Sequence, residues 1–373
     1  MIRRRTGRVL SVTGTGPGLE KLLVRVDGAF AQAINYPALT GPAHPGDAVL
    51  LNTGAVHLGL GTGGYHFVQA VWPGAATGPS PKLVKPGPSG SDPPGPGHIM
   101  KLRYTPAQLR VLAVEEEAHP RAGQYREATG LDGIPVIIGS VHSMVAPAAA
   151  TLHYLTGGRV RLVYLMTDAA ALPLWFSETV ADLRRQGLVA GTVTCGHAFG
   201  GDLEAVNVYS GLLAARAVLG ADAVIAAMGP GLVGTGTKYG HTALEQGQLV
   251  DAVNLLGGLP VAQLRLSFAD PRFRHRGVSH HSLTALGEIA RTAALVALPC
   301  LPAPCRKVVL SQLKKAGLLR KHRVQLVRTD AVTRAMGCYR LDYRTMGRAP
   351  AQDPFFFQAA GAAAVLAAGH LQA

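Results

Sequence analysis

Acid/base side chains occur beside glycines at two points of the chain. Asp168 follows an apolar run, and His197 stands shortly before the segment Gly200, Gly201, Asp202. Carboxylates and imidazoles are common proton-transfer groups in enzymes. We therefore take Asp168, His197 and Asp202 as candidate catalytic residues. Two simpler interpretations remain open, since His197 also suits a core position and Asp202 also suits the N-cap of a following helix.

A second glycine-rich segment follows the apolar run that ends at Met228. Its glycine spacing formally matches the dinucleotide fingerprint, but no helix pattern begins there and no acidic residue follows at the expected distance, so no cofactor is assigned. Backbone N–H groups and a lysine can still surround an anion. The candidate substrate-binding residues are Gly200, Gly201, Gly231, Gly234, Gly236 and Lys238. A tightly packed loop without a ligand is the alternative.

Three arginines alternate along one later segment. In an extended backbone, Arg272, Arg274 and Arg276 would point the same way and form a clamp for an anion. A solvated loop is the alternative interpretation.

Histidines offer the candidates for a metal site. His280 and His281 are adjacent, and on a helix their side chains diverge by about 100°, which disfavours chelation of one ion. With His197 they would form a site only if the fold brings the three together. The 4 cysteines lack zinc-site spacing, and neither they nor the serines match a known nucleophile motif.

The elements that must position these residues form an α/β pattern. Apolar runs alternate with helical periodicities, and several runs are apolar nearly throughout, as strands of a parallel sheet covered on both faces are. The predicted strands are 111–115, 135–139, 160–166, 190–194, 223–228, 261–267 and 323–327. We predict a doubly wound, mostly parallel α/β domain over 98–373, with its ligand at the carboxyl ends of the strands.

The first part of the chain has a different pattern. Residues 1–72 contain about five short β-rich runs separated by Gly/Pro turns, which predicts a small antiparallel barrel of the OB or SH3 type. Residues 73–97 contain 14 Gly or Pro among 25 positions, which is typical of a linker.

Composition limits the class of protein. The net charge is +14, and residues 302–348 carry 12 Lys or Arg against 2 Asp or Glu. This segment suits a solvated, arginine-rich surface, and the alternative is a face that attracts phosphate, nucleic acid or an anionic membrane. Aromatic residues make up only 6% of the chain, which does not favour a nucleic-acid partner. No signal peptide or transmembrane helix is predicted, so we expect a cytoplasmic protein without a membrane partner. A homo-oligomer remains open.

Four longer segments carry a family resemblance: GHAFGGDLEAVNVYSGLLAA, GPGLVGTGTKYGHTALEQGQ, FADPRFRHRGVSHHSLTAL and RTMGRAPAQDPFFFQAAGAA. In these segments, and over nearly its whole length, the chain resembles a bacterial family described only as a domain of unknown function. The resemblance implies no activity and no catalytic residues.

The leading functional hypothesis is an enzyme that binds a small anionic substrate, phosphorylated or carboxylated, with or without a metal. Because loops that follow parallel strands share one sheet edge, we expect Asp168, His197, Asp202 and Lys238 to converge around one pocket. The alternative is a nucleic-acid-binding or regulatory protein that uses the barrel and the basic segment 302–348.

Overall fold

The computed structural model describes residues 2–16, 18–59, 64–74 and 97–371. The chain divides into two compact units, Met1–His119 and Pro120–Ala373. The α/β unit therefore begins later than residue 98, the start predicted from the sequence. Most of the predicted linker, residues 75–96, lies outside the described residues.

The first unit contains a closed five-stranded barrel with the strand order β1-β2-β3-β5-β4. Its elements are β1 (Arg4–Gly16), β2 (Leu19–Val26), β3 (Ala29–Asn35), α1 (Pro37–Thr40), β4 (Ala48–Asn52), α2 (Gly54–His57) and β5 (Tyr65–Trp72). Apolar residues alternate along the strands, and those that point inward, such as Leu22, Val24 and Leu51, are fully buried. The predicted barrel is confirmed.

A short antiparallel hairpin completes the first unit. It consists of β6 (Ile99–Lys101) and β7 (Leu109–Val111). The side chain of Asn52 donates to the carbonyl oxygen of Gln108 at 2.7 Å and so holds this hairpin against the barrel. The run 111–115, predicted as the first strand of the parallel sheet, is therefore wrongly placed.

The second unit is built on an eight-stranded sheet in which every neighbouring pair of strands is parallel. Its strands are β8 (Pro135–Ile138), β9 (Leu162–Thr167), β10 (Gly191–Thr194), β11 (Leu203–Glu204), β12 (Ala223–Met228), β13 (Leu259–Ala262), β16 (Leu295–Pro299) and β17 (Arg323–Val327). They lie in the order β11-β10-β9-β12-β8-β13-β16-β17. A separate antiparallel pair, β14 (Leu266–Ser267) and β15 (Gly277–Val278), follows β13.

Helices cover both faces of the sheet. They are α3 (Ala122–Arg126), α4 (Val145–Thr156), α5 (Glu178–Arg185), α6 (Val208–Leu213), α7 (Glu245–Leu255), α8 (His280–Thr284), α9 (Ala303–Lys315), α10 (Leu318–Lys321), α11 (Asp330–Cys338) and α12 (Pro354–Leu371). Tyr164 and Met166 of β9 belong to the core formed with α4 and α12. Leu165 points the other way, toward α6, where a Cβ added at Gly211 would lie 2.6 Å from its side chain. The doubly wound α/β prediction is confirmed.

The predicted strand 261–267 is two strands, β13 and β14, that belong to different sheets. Leu203 and Glu204 pair with β10, and the helix that follows them begins only at Val208. The strand β16, which begins at Leu295, was not among the predicted strands.

The last helix is long and apolar enough to span a membrane, which the sequence interpretation did not expect of any segment. Within the described chain, α12 has 18 residues and is apolar enough to cross a membrane, and 56% of it is buried in this structure. It packs against α4 and α11, and a Cβ at Gly361 would lie 2.8 Å from Thr151 of α4 and 2.4 Å from Val332 of α11. This close packing explains its apolar composition as that of a core helix.

The basic segment 302–348 forms no continuous basic stripe. Lys307 and Lys314 are exposed on α9, and so is Leu310 beside them, at 38%. Lys321 lies on α10, and its Nζ donates to the carbonyl oxygens of Leu286, Gly287 and Ala290. Lys321 therefore caps the carboxyl end of the helical turn Ala285–Ile289 and has a structural role.

Candidate active site

A cavity of about 410 Å³ lies at the carboxyl edge of the sheet, lined by the loops that follow β8, β12 and β13 and by residues 344–346. Four of its lining residues are arginines: Arg265, Arg272, Arg274 and Arg344. His142, His275 and His281 also line it, and among the described residues no aspartate or glutamate does. The cavity is therefore strongly cationic.

Arg265 is the least expected member of this lining. It lies between β13 and β14, is only 6% exposed, and makes no ion pair with a carboxylate in the described chain. Its Nη1 donates to Nδ1 of His281 at 3.0 Å. Burial, followed by the charge of Arg272, lowers the pKa of Arg265 to about 10, so the guanidinium stays charged at neutral pH.

Arg272 is held rigidly by one carboxylate. Its Nε and Nη2 donate to the two oxygens of Asp270 at 2.9 and 2.8 Å, and this bidentate bond holds the pKa of Asp270 well below its usual range. Arg274 has no hydrogen-bond or ion-pair partner in the described part of the chain. Its guanidinium is therefore available to a ligand.

The predicted three-arginine clamp is wrong in its geometry. Residues 273–275 form a 3₁₀ turn, so the backbone is not extended through the segment. Arg272 and Arg274 line the cavity, whereas Arg276 is exposed outside it. Two of the three predicted side chains thus reach the same space.

Only part of the glycine-rich loop after β12 lines the cavity. Gly231 and Gly234 line the cavity, and Gly231 has a φ of 101°, a conformation that favours glycine. Gly236 does not line the cavity. Lys238 is exposed and pairs with Glu288, with 2.7 Å between Nζ and Oε1, so its charge is already compensated.

Asp168 and His197 are neighbours, as predicted, but they do not line this cavity. The backbone N–H of His197 donates to Oδ2 of Asp168 at 2.9 Å. Gly196 lies between them with a φ of 63°, and a Cβ there would overlap the Asp168 carboxylate. The two residues follow β9 and β10, on the side of the sheet edge away from β13.

Asp202 does not have the predicted N-cap role, and it does not line the cavity. Asn207, not Asp202, is the N-cap of α6. The Asp202 carboxylate accepts the backbone N–H of Thr192 at 2.8 Å and pairs with Arg184 at 2.6 Å, which places it toward the amino end of β10. The predicted convergence of Asp168, His197, Asp202 and Lys238 on one pocket is therefore wrong.

The adjacent glycines hold the same connection in place. Gly200 donates its N–H to Oε1 of Glu204 at 2.7 Å, and Gly201 donates to Oγ1 of Thr194 at 3.1 Å. A Cβ at Gly201 would lie 2.8 Å from the carbonyl oxygen of Leu203. These glycines allow β11 to pair with β10, and they do not line the cavity.

Three histidines form a compact cluster beside the cavity, which we call the histidine cluster: His241, His280 and His281. One ring nitrogen of each lies within 4.8 Å of the others. The sequence predicts that the side chains of His280 and His281 diverge, yet their ring centroids lie only 4.4 Å apart. His197, the third metal candidate, is not part of this group. By spacing alone, the cluster is a candidate metal centre.

Glu245 lies at the same sheet edge, outside the cavity lining, and the sequence interpretation missed it. It begins α7 and accepts a hydrogen bond from Thr167 at 2.6 Å. Burial, with a contribution from the nearby charge of Asp168, raises its pKa to about 7. The only sequence signal was an acidic residue in the first turn of a helix, which is also the ordinary place for one.

His142 was noted only as part of a post-strand segment. Its Nε2 lies 2.7 Å from Oγ of Ser177, and its Nδ1 lies 3.2 Å from the carbonyl oxygen of Met228. Ser177 is buried and caps α5, so this serine and histidine pair is a structural link. Burial lowers the pKa of His142 to about 4, and the ring is neutral at pH 7.

Comparison with known proteins gives a family without an activity. The family described as "Protein of unknown function (DUF3866)" matches residues 32–364, nearly the whole chain. The chain belongs to this family. Comparisons with curated proteins and with solved structures found no match. Membership in the DUF3866 family confirms the resemblance seen in the sequence, and the function has to be argued from the site itself.

Proposed function

We propose that the cationic cavity binds a small anionic molecule that carries a phosphoryl or carboxylate group. The observation that carries this proposal is Arg265, a buried guanidinium that makes no ion pair in the described chain and faces a cavity without acidic lining. A buried charge is costly unless it is paired. A bound anion would supply the missing partner.

The neighbouring charges favour the same ligand. Asp270 is already occupied by Arg272 in a bidentate pair, and Arg344 contacts Asp342 on the exposed side. Arg274 and Arg265 therefore leave the cavity with uncompensated positive charge. Guanidinium groups bind carboxylate and phosphate oxygens in pairs, which gives both affinity and orientation.

The proposal includes catalysis at the same sheet edge. An acid/base group works best when its pKa lies near the operating pH. Glu245, with a pKa raised to about 7, meets this condition. We assign Glu245 as the proton-transfer candidate, adjacent to Thr167 at the end of β9.

Arg274→Ala tests the binding proposal. Calorimetric titration of the full chain with inorganic phosphate and with citrate should show binding of at least one of them, weakened about tenfold to a hundredfold by the substitution, as expected for loss of a charge-assisted hydrogen bond. Arg276→Ala is the matched control, because it removes the same charge two residues away and outside the cavity. An equal loss of affinity in both variants would show that binding depends on net charge alone and would contradict the proposal.

A second candidate function is supported by one observation on the barrel. Arg8, Arg25 and Phe30 are neighbours across β1, β2 and β3, with the Arg25 guanidinium 5.7 Å from the ring centroid of Phe30. Phe30 is 68% exposed. An exposed aromatic ring beside two arginines suits a nucleic-acid base and its phosphates. We propose single-stranded nucleic acid as the ligand of this surface.

A further inference from the structure

The lining of the cavity contains apolar side chains as well as arginines. Four residues contribute them: Val141, Pro230, Leu232 and Met346. Val141 is buried, whereas Met346 is 63% exposed. Sites for small molecules commonly combine an apolar wall with a few polar groups that orient the ligand. The lining therefore has room for an apolar group of the ligand as well as for its charge.

Met346 occupies a backbone conformation that methionine rarely adopts. Thr345 and Arg348 exchange two backbone hydrogen bonds, of 3.0 and 2.9 Å, so Met346 and Gly347 form a two-residue turn. Both residues have positive φ, 48° and 78°, as in a type I′ turn, where asparagine and glycine are the usual residues. Unfavourable conformations of this kind cluster at functional sites. Because the backbone disfavours methionine here, its side chain indicates a role of its own.

Side-chain contacts hold both ends of this turn. Thr345 is 4% exposed, and the hydroxyl of Ser143, another cavity residue, donates to its Oγ1 at 3.3 Å. At the other end, Nε of Arg348 donates to Oδ2 of Asp353 at 3.1 Å. The backbone that carries Met346 is therefore fixed at the cavity.

One buried carboxylate also joins the turn to an arginine of the cavity. Asp270 accepts the bidentate bond of Arg272, and its Oδ2 lies 3.6 Å from Nη2 of Arg348. Met346 is thus held in place relative to the segment that carries Arg272 and Arg274. Since all three line one cavity of about 410 Å³, a single small molecule can contact the apolar turn and the arginines together.

The size of the cavity and its apolar wall indicate the kind of ligand. A volume of about 410 Å³ lies in the range of sites for organic ligands, well above what a lone phosphate or acetate ion fills. Contact between an apolar group and Met346 removes apolar surface from water, which is favourable. Resting on the proposed anion site, we propose that the ligand is an amphipathic anion. Its acidic group binds Arg274, and its aliphatic or aromatic group packs on Met346 and Leu232.

Pairs of anions that differ in an apolar group test this proposal on the full chain. In calorimetric titration, butyl or phenyl phosphate should bind at least about tenfold more tightly than inorganic phosphate, or benzoate at least about tenfold more tightly than acetate. The apolar member should also bind with a more negative heat-capacity change, which marks burial of apolar surface. Arg274→Ala should weaken the binding of both members, because both carry the acidic group.

Met346→Asn removes the apolar side chain without straining the turn. Asparagine is favoured at this position of a type I′ turn, so thermal unfolding should show a variant at least as stable as the wild type. The affinity advantage of the apolar anion should fall below about threefold, while the affinity for the small anion stays within about twofold. Met346→Leu, which keeps an apolar side chain, should retain the advantage. Leu255→Asn is the control, because Leu255 is 75% exposed at the end of α7 and does not line the cavity.

The outcomes separate this inference from the anion site on which it rests. If the wild type binds the small anions but gains nothing from the apolar group, the amphipathic ligand is wrong and the anion site stands. An affinity advantage that survives in Met346→Asn would overturn the role of Met346. If the wild type binds none of these anions, the proposed anion site fails, and the inference fails with it.

Discussion

At the scale of single residues, Glu245 shows how the sheet edge changes the ionisation of a side chain. Its carboxyl group is partly buried beside Thr167, and the charge of Asp168 opposes its ionisation. The folded protein therefore favours the protonated form, with a pKa of about 7 against 4.5 for an unperturbed glutamate. The free energy of unfolding is then highest below pH 4.5 and falls as the pH rises through 7.

We predict that Glu245→Gln removes this loss of stability. The variant should resemble the wild type near pH 4 and be more stable by about 1 to 3 kcal/mol at pH 8, since one pKa unit corresponds to about 1.4 kcal/mol. Urea unfolding across this pH range measures the difference. A variant that is less stable than the wild type at pH 8 would contradict a raised pKa. Loss of turnover in the stabilised variant would support Glu245 as the proton-transfer group.

At the scale of secondary structure, the shortest strand depends on one carboxylate. Asp202 precedes β11, accepts the N–H and hydroxyl of Thr192, and pairs with Arg184 from α5. Thr192 is buried, so its N–H has no substitute partner in water. Asp202 thus links α5, β10 and β11 at the amino side of the sheet, and it does not line the cavity.

Asp202→Ala should lower the free energy of unfolding by about 1 to 3 kcal/mol and leave phosphate affinity unchanged. Asp182→Ala provides the comparison, because Asp182 forms an exposed pair with Arg185 on the same helix and should cost less than about 0.5 kcal/mol. Thermal unfolding and calorimetric titration of both variants measure the two effects. A loss of phosphate binding in the folded Asp202→Ala variant would show that Asp202 contributes to the anion site.

At the scale of the whole molecule, the charge of +14 is divided among different uses. Arg265 and Arg274 serve the cavity, Lys321 ends a helix, and Arg25 lies on the outer surface of the barrel beside Phe30. Net charge alone therefore does not predict the partner. Local pairing decides which of these charges remain available.

At this scale we predict that the barrel surface around Phe30 binds single-stranded nucleic acid. The full chain should retard a single-stranded oligonucleotide in a gel, with an affinity that falls steeply as salt concentration rises. Phe30→Ala should weaken this binding about tenfold, since base stacking on an aromatic ring contributes about 1 to 3 kcal/mol. Phe176→Ala, an exposed phenylalanine of the second unit, is the control. The absence of a gel shift, or equal effects of both substitutions, would remove nucleic acid as a ligand of the barrel.

The sequence by itself determined the architecture. The runs that became β8 and β12 are apolar at every position, and only a sheet covered on both faces can bury them completely. Their connections place the following loops at one edge, so the position of the site along each strand was predictable. Arg272 and Arg274 were found because they lie in such a loop.

Only the tertiary structure decided which residues meet at that edge. Strand order depends on long-range packing, and β12 inserts between β9 and β8, so Asp168 and the cavity lie on different parts of the edge. His241 joins His280 and His281 across about forty residues of chain, although none of the three marks a motif. No sequence pattern marks Arg265. It indicates a ligand only because its guanidinium is buried without a carboxylate partner, and burial is a property of the folded chain.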